Sequence, residues 1–310
     1  MNILVTGAAG FIASHLIEEL LQNQANQVFG IDNFYSGTKE NLEYLKTVYK
    51  KGKFTFEEID IRDFNQLNNI IKNNNINQVY HLAAIVSVQE SIENPISSNN
   101  VNIKGTLNIL EASRLNGVKK VVFSSSAAVY GDEPTLPKDE LSPVKPISPY
   151  GVEKLVGEQY MNLYSNLYGL DTVSLRYFNV YGERQSATSD YSGVISIFDN
   201  RFKNNEEVNI YGDGEQYRDF VYVKDVVTAN IKAMNSNNQG NHIFCVGTSN
   251  KTSINDLFEF MCRKYERSSK PVYKESRKGD ILESICDNSK IKKQLLMSKW
   301  SKFEENIFKI

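Results

Sequence analysis

Five short runs rich in apolar and β-branched residues, NILVT, QVFGI, FTFEEI, QVYHLA and KVVFSS, follow one another between residues 2 and 125. Helix-like segments such as HLIEELLQN, NQLNNIIKNN and NIKGTLNILEASRLNG lie between them. Strands that are apolar almost throughout have no solvent face, so helices must cover both sides of their sheet, and a parallel sheet provides that cover. The β-α-β-α order from residue 2 onward predicts a doubly wound α/β fold. TVSLRYFNV adds a later strand, after which the rhythm loosens into the Gly/Asp-rich YGDGEQYRD and two helical patterns, VKDVVTANIKAM and INDLFEFMCRKY. The expected layout is a sheet domain of residues 1–176 plus about 216–248, and a smaller C-terminal α/β lobe of residues 177–215 and 249–310.

Composition excludes several function classes. A net charge of -2 provides no overall basic field to attract nucleic acid or anionic lipid, so neither is expected as a partner. Cys245, Cys262 and Cys286 are far apart and lack Cys-x-x-Cys spacing, which argues against a disulfide framework or a zinc site and fits a reducing cytoplasm. No metal site is expected. Neither a targeting segment nor a run of about 18 apolar residues is read, so a cytoplasmic protein without membrane spans is expected.

Gly7, Gly10 and Ala13 in TGAAGFIASH follow the first strand and open the first helix. Without side chains at Gly7 and Gly10 the backbone can approach a pyrophosphate, whose charge the helix N-terminus favours. Ala13 is small enough for close helix–strand packing. Asp32 ends the second strand, about 20 residues beyond the glycines, where a carboxylate accepts hydrogen bonds from both adenosine ribose hydroxyls and repels a 2′-phosphate. The pattern predicts a Rossmann-like NAD site. Asp60, ending the third strand, is placed either to reach the adenine amine or to cap the next helix.

Tyr150 and Lys154 lie four apart in SPYGVEK, after the serine run Ser124-Ser125-Ser126. On a helix this spacing puts both side chains on one face. A tyrosine acting as a base near neutrality needs its pKa lowered by roughly three units, about 4 kcal/mol. An ammonium about 4 Å away supplies roughly that much at an effective dielectric near 20. The same spacing at Tyr35/Lys39 and Tyr49/Lys53 has no such context.

TGAAGFIA, DIRD, HLAA, SSSAAVYG, PYGVEK and RYFNVYG occur in this order, followed by GDGEQYRDFVYV and RKGDILES. The ordered set resembles the extended short-chain dehydrogenase/reductases, and among them the bacterial UDP-hexose 4-epimerases, from residue 3 to about residue 290. The resemblance implies an isomerase in which NAD accepts hydrogen from sugar C4 while Tyr150 takes the O4 proton, leaving a 4-keto sugar that is reduced on its other face. It implies that Lys154 holds nicotinamide ribose and lowers the Tyr150 pKa, and that Ser126 hydrogen-bonds the O4 region. It places Gly7, Gly10, Phe11, Ile12, Asp32, Asn33, Asp60, Ile61, Leu82, Ala83, Ala84, Asn102 and Phe178, besides Tyr150 and Lys154, at cofactor-contact positions. Val86 stands where some relatives carry a nicotinamide-side lysine.

For the substrate, the resemblance assigns Asn179, Arg218 and Arg277 to the diphosphate, and Asp280 and Ser284 to the same UDP-sugar site. Arg218 has an alternative as a surface partner of Asp213 or Asp219. His15, His81 and His242 are read as structural. Related 4,6-dehydratases carry an Asp-Glu pair where this chain has Ala127 and Ala128, and related decarboxylases place a glutamate there too, so elimination is disfavoured. Ser284 falls where a tyrosine restricts relatives to glucose and galactose. The expectation is therefore a UDP-hexose 4-epimerase accepting UDP-GlcNAc/UDP-GalNAc, with or without UDP-glucose/UDP-galactose. The alternatives are another NAD-dependent sugar-nucleotide enzyme or a non-catalytic NAD-sensing protein, which has no use for Ser126, Tyr150 and Lys154 together. Helical segments at about 95–116 and 149–168 have apolar faces that suit a homodimer.

Overall fold

The computed structural model describes residues 1–48, 53–185, 193–276 and 283–310. Its first part runs β1 (Asn2–Thr6), α1 (Phe11–Gln22), β2 (Gln27–Asp32), α2 (Lys39–Val48), β3 (Phe54–Glu58), α3 (Phe64–Asn73) and β4 (Gln78–His81). Helices α4 (Val88–Glu93) and α5 (Pro95–Asn99) lead into a π-helical stretch, Asn100–Gly105, which continues as α6 (Thr106–Leu115). Strand β5 (Lys120–Ser126), a 3-10 turn (Ala127–Tyr130), α7 (Pro149–Tyr168) and β6 (Asp171–Tyr177) follow. The later elements are β7 (Asn179–Tyr181), α8 (Val194–Lys203), β8 (Asn209–Tyr211), β9 (Tyr217–Arg218), β10 (Phe220–Tyr222), α9 (Val223–Asn235), β11 (Asn241–Val246), β12 (Thr252–Ser253), α10 (Ile254–Lys264) and β13 (Val272–Lys274).

Among the described residues, seven strands form one sheet in the order β11-β6-β5-β4-β1-β2-β3, with the registered pairs from β6 to β3 all parallel. This is the doubly wound α/β, Rossmann-like sheet that the alternation predicts. Ile3, Leu4 and Val5 of β1 and Val121, Val122 and Phe123 of β5 are buried, as strands covered on both faces must be. One apolar layer joins Leu4, Phe29 and Val79 of the sheet to Leu67, Ile70 and Ile71 of α3 and Ile109 and Leu110 of α6.

Two compact units divide the chain. One comprises residues 1–133, 143–177 and 227–244; the other comprises 134–142, 178–226 and 245–310. Residues 134–142, 216–226 and 245–248, placed with the sheet domain by sequence, group with the second unit. The run TVSLRYFNV divides at Phe178: β6 joins the large sheet, while β7 pairs in parallel with β10.

Helix α7 is fixed to its sheet by a buried ion pair. Arg176 of β6 donates from Nε and Nη2 to the two carboxylate oxygens of Glu158 at 2.9 and 2.7 Å, and from Nη1 to the Tyr130 hydroxyl at 3.0 Å. Ser125 of β5 donates to Glu158 Oε1 at 2.6 Å. The two charged side chains are 4% and 2% exposed, so each depends on the other for solvation. Glu158→Ala is expected to lower the free energy of unfolding by about 3–5 kcal/mol. Removing Arg176 as well should cost clearly less than the sum of the single changes, a comparison that urea titration of the four proteins makes directly.

Candidate active site

The turn between β1 and α1 has no room for a side chain at its start. Gly7 has φ +69°, and a Cβ there would stand 2.9 Å from the Ala83 backbone nitrogen. Gly10 donates to the Gly7 carbonyl at 2.9 Å and precedes α1 with no side-chain cap, which leaves the helix N-terminus to the turn. Ala13 is buried, and Phe11 and Ile12 are half-buried on the first turn. Asp32 reaches back from the end of β2: Oδ2 accepts from Ala9 N–H at 3.0 Å and Oδ1 from Phe34 N–H at 2.7 Å. Burial raises its pKa against these backbone bonds. A Cβ at Gly37 would come 3.0 Å from Asp32 Oδ2, so glycine keeps that approach open. A backbone turn closed to side chains at Gly7, an uncapped helix end and a carboxylate at the neighbouring strand end together fit a dinucleotide.

Asn33 donates to Asp60 Oδ2 at 2.9 Å, and Arg62 grips Asp60 through Nε and Nη2 at 2.9 and 2.7 Å. The guanidinium holds the Asp60 carboxyl down to about 2. Asp60 does not cap α3. Asp63 does, accepting from Gln66 N–H at 3.0 Å, because the turn Asp60–Asp63 intervenes before the helix. Ile61 is buried against Gly105, where any Cβ would collide with it.

Strand β1 lies between β4 and β2, so the sheet order reverses direction there, the place where doubly wound sheets bind ligands. The segment after β4 is pinned at that point. Leu82 and Ala83 N–H donate to Thr6 Oγ1 at 3.1 and 3.0 Å, and Thr6 contacts His81 Nδ1 at 2.8 Å. On the other side of the ring, His81 Nε2 contacts Thr106 Oγ1 at 2.9 Å, and Thr106 donates to the Asn102 carbonyl at 2.6 Å. This donor order requires a neutral imidazole protonated at Nε2, in agreement with burial pushing His81 down to about 3. Asn102 accepts from Ile85 N–H and donates to Ile85 O, both at 2.8 Å, so its amide is engaged within the protein and shapes the segment carrying Leu82, Ala83 and Ala84. Val86 is 63% exposed.

Ser148 caps α7, accepting from Gly151 N–H at 3.1 Å, with Pro149 at the first helical position. One turn in, Tyr150 hydrogen-bonds Ser126, whose hydroxyl also accepts from Ala128 N–H at 3.1 Å. Lys154 donates to the Ser124 carbonyl at 2.7 Å, and its Nζ lies 4.9 Å from the Phe123 ring centre and 5.7 Å from that of Tyr150. The three side chains meet at the end of β5. Their electrostatics depart from the expected lowering of Tyr150: burial pushes the phenol up to about 12, the Ser126 hydrogen bond opposes this, and Glu153 adds to it. Burial likewise pushes Lys154 down to about 8, against the charges of Glu153 and Glu158. Glu153, Glu158 and Arg176 did not figure among the sequence candidates. For Glu158 a signal existed, since Tyr150, Lys154 and Glu158 repeat at four-residue spacing along one helix face.

The second unit holds a cavity of about 530 Å³ lined by Asn179, Arg218, Gln216, Arg201, Phe198 and Phe220 among others. Asn179 donates from both backbone N–H and side-chain amide to the Asp219 carbonyl, at 3.1 and 3.2 Å. Arg218 Nη1 and Ser284 N–H converge on the Tyr217 carbonyl at 3.0 and 3.3 Å, which brings those two positions together. Asp219 is turned inward instead of pairing at the surface. Its carboxylate accepts from Thr248 N–H and Oγ1, Ser249 N–H and Cys286 N–H. Phe178 is buried and donates its N–H to the Val246 carbonyl at 3.0 Å. Arg277 and Asp280 lie outside the described residues. No cluster of three or more potential metal ligands and no helix long and apolar enough to cross a membrane occurs among the described residues.

Residues 3–247 match the family described as NAD dependent epimerase/dehydratase family. A UDP-glucose 4-epimerase from Mycolicibacterium smegmatis is 38% identical over 95% of this chain and 92% of its own length. Among solved structures, a UDP-glucose 4-epimerase from Thermotoga maritima with UDP-glucose superposes with a TM-score of 0.92 at 40% identity, covering 99% of this chain and 96% of that one. A UDP-N-acetylglucosamine 4-epimerase from Methanobrevibacter ruminantium M1, in complex with UDP-N-acetylmuramic acid, gives the same TM-score at 39% identity, with the same coverage. The glycine turn, the strand-end aspartate and the Ser-Tyr-Lys cluster thus lie within a match over most of the chain, which belongs to the NAD dependent epimerase/dehydratase family.

Proposed function

We propose that this protein is a UDP-hexose 4-epimerase that accepts UDP-GlcNAc and UDP-GalNAc, with or without UDP-glucose and UDP-galactose. The observation that carries the reading is the meeting of Ser126, Tyr150 and Lys154 beside two methyl groups. Ala127 and Ala128 occupy the half-buried 3-10 turn next to Ser126, and neither offers an acid or base for eliminating water or carbon dioxide. Reversible oxidation at one carbon needs only what is present.

NAD, held by the Gly7–Gly10 turn, Asp32 and the Leu82–Ala84 segment, supplies a reversible acceptor for the C4 hydrogen. Ser126 orients the O4 hydroxyl toward Tyr150, which takes its proton, and Lys154 keeps positive charge at the phenol. When the keto sugar presents its other face, Tyr150 returns the proton to O4. Asn179 and Arg218 hold the diphosphate, for which a guanidinium fork is suited. The nucleotide is taken as uridine because the relatives described above are named for UDP-sugars. Ser284, whose backbone shares the Tyr217 carbonyl with Arg218, leaves space for an acetamido group on C2. Exposed apolar residues on the same helices, Ile96, Leu115, Leu163 and Leu167, support pairing of two copies. The absence of a disulfide at any of the three cysteines supports a cytoplasmic setting.

NMR of purified protein incubated with UDP-GlcNAc should show its C4 epimer appearing without change of mass. A product lighter by water or carbon dioxide overturns the reading. Tyr150→Phe should lower kcat by about 10²- to 10⁴-fold while calorimetry still registers NAD binding. Ser284→Tyr should reduce kcat/KM for the acetylated pair by about tenfold or more and spare the unacetylated pair. Equal losses on both pairs would remove the Ser284 assignment.

A further inference from the structure

We propose that Glu153 is a positioning residue for the Tyr150–Lys154 pair: a buried carboxylate that sets the electrostatic balance of the pair and, through Asn102, ties it to the segment ending at Ile85. This rests on the redox reading of Tyr150 and Lys154 above and deepens it. Glu153 is 3% exposed and sits between the two residues on α7. Its Oε2 accepts from the Ser98 hydroxyl at 2.7 Å and from Asn102 Nδ2 at 2.6 Å. The same Asn102 amide brackets Ile85 from both sides, at 2.8 Å each. One carboxylate therefore orders the π-helical stretch carrying Asn102 and, through it, the segment whose Ala83 stands against Gly7.

An acceptor alone would satisfy Ser98 and Asn102. A neutral glutamine has one, so hydrogen bonding does not explain why an acidic group is buried here, where a charge is costly unless it is used. The use is electrostatic. Negative charge one residue from Lys154 and three from Tyr150 opposes proton loss from both, and raises both pKa values. Tyr150 and Lys154 feel Glu153 from its own helix. Elsewhere on α7, Glu158 is neutralised by Arg176 of β6. At the end of β4, His81 is held neutral and feels Lys154. Lys104 of the π-helical stretch and Glu93 of α4 are exposed, and Glu90 of α4 is bound by the Tyr35 hydroxyl.

Glu153→Gln separates the two roles, since it keeps an acceptor oxygen for Ser98 and Asn102 and removes the charge. In full-length protein with ¹³C-labelled lysine and no added substrate, the Lys154 resonance is assigned by its loss in Lys154→Arg and titrated by NMR. Its midpoint is expected near 8 in the wild type and about one unit lower in Glu153→Gln. The alkaline limb of kcat/KM for epimerisation should move in the same direction. Glu153→Asp, which retains the charge, should keep the wild-type midpoint, and this comparison decides the matter should the glutamine variant fold poorly. A midpoint unmoved in Glu153→Gln, or lowered by Glu153→Asp, overturns the proposal. Because the titration needs no substrate, failure of the wild type to epimerise strikes the functional reading and not the assignment of Glu153.

Discussion

The pairing of Arg176 with Glu158 decides where Tyr150 and Lys154 stand. Helix α7 carries Tyr150 and Lys154 on the face that also carries Glu158, and Glu158 is held at once by β6 through Arg176, by β5 through Ser125 and, across Arg176, by the Tyr130 hydroxyl. Rotation of the helix by a single residue, about 100°, would break all of these bonds and move Tyr150 off Ser126. A buried ion pair is a poor source of net stability compared with apolar residues of the same size, because desolvation offsets most of the attraction. Its geometric demand is the benefit here, since a two-pronged guanidinium–carboxylate contact accepts one register and rejects the neighbouring ones.

The electrostatics follow from the same burial. A phenol pushed up to about 12 with Lys154 already in place stands roughly five units from neutrality, about 7 kcal/mol in favour of its neutral form. Lys154 is itself pushed toward its neutral form and so is a weaker source of charge than a solvated lysine. Burial of Tyr150 therefore favours the neutral phenol, against the Ser126 hydrogen bond.

The sheet was legible because its signal is local. Apolar runs of strand length, glycines directly after the first of them and Asp32 at the end of the second each follow from a short-range physical requirement. The division at Phe178 was hidden, since NVY continues the apolar pattern of β6 although its hydrogen bonds go to β10. The π-helical stretch was hidden too, because nothing in the residue types of NVNIKG separates a wider helical turn from an α-helical one. Asp60 and Asp63 are equally good caps by residue type, and only the backbone turn between them separates their roles. Glu153, Glu158 and Arg176 were passed over because isolated charged residues usually belong to solvated faces. Their partners lie 18 to 55 residues away in sequence, beyond the reach of any spacing rule.

The second unit poses the same problem and solves it with a different group. Asp219 is fully buried, and every described contact to its carboxylate is a donor: two from Thr248, one from Ser249 and one from Cys286. An amide has only one acceptor oxygen and would turn its own donors toward two of these, so the position demands a carboxylate. Its backbone carbonyl meanwhile receives both Asn179 donors. Three stretches remote in sequence are gathered on a single residue adjacent to Arg218, with Ser284 two residues from Cys286. The short strands and loops of this unit have too little sheet to fix those positions through a ladder. A buried carboxylate with four converging donors does it instead.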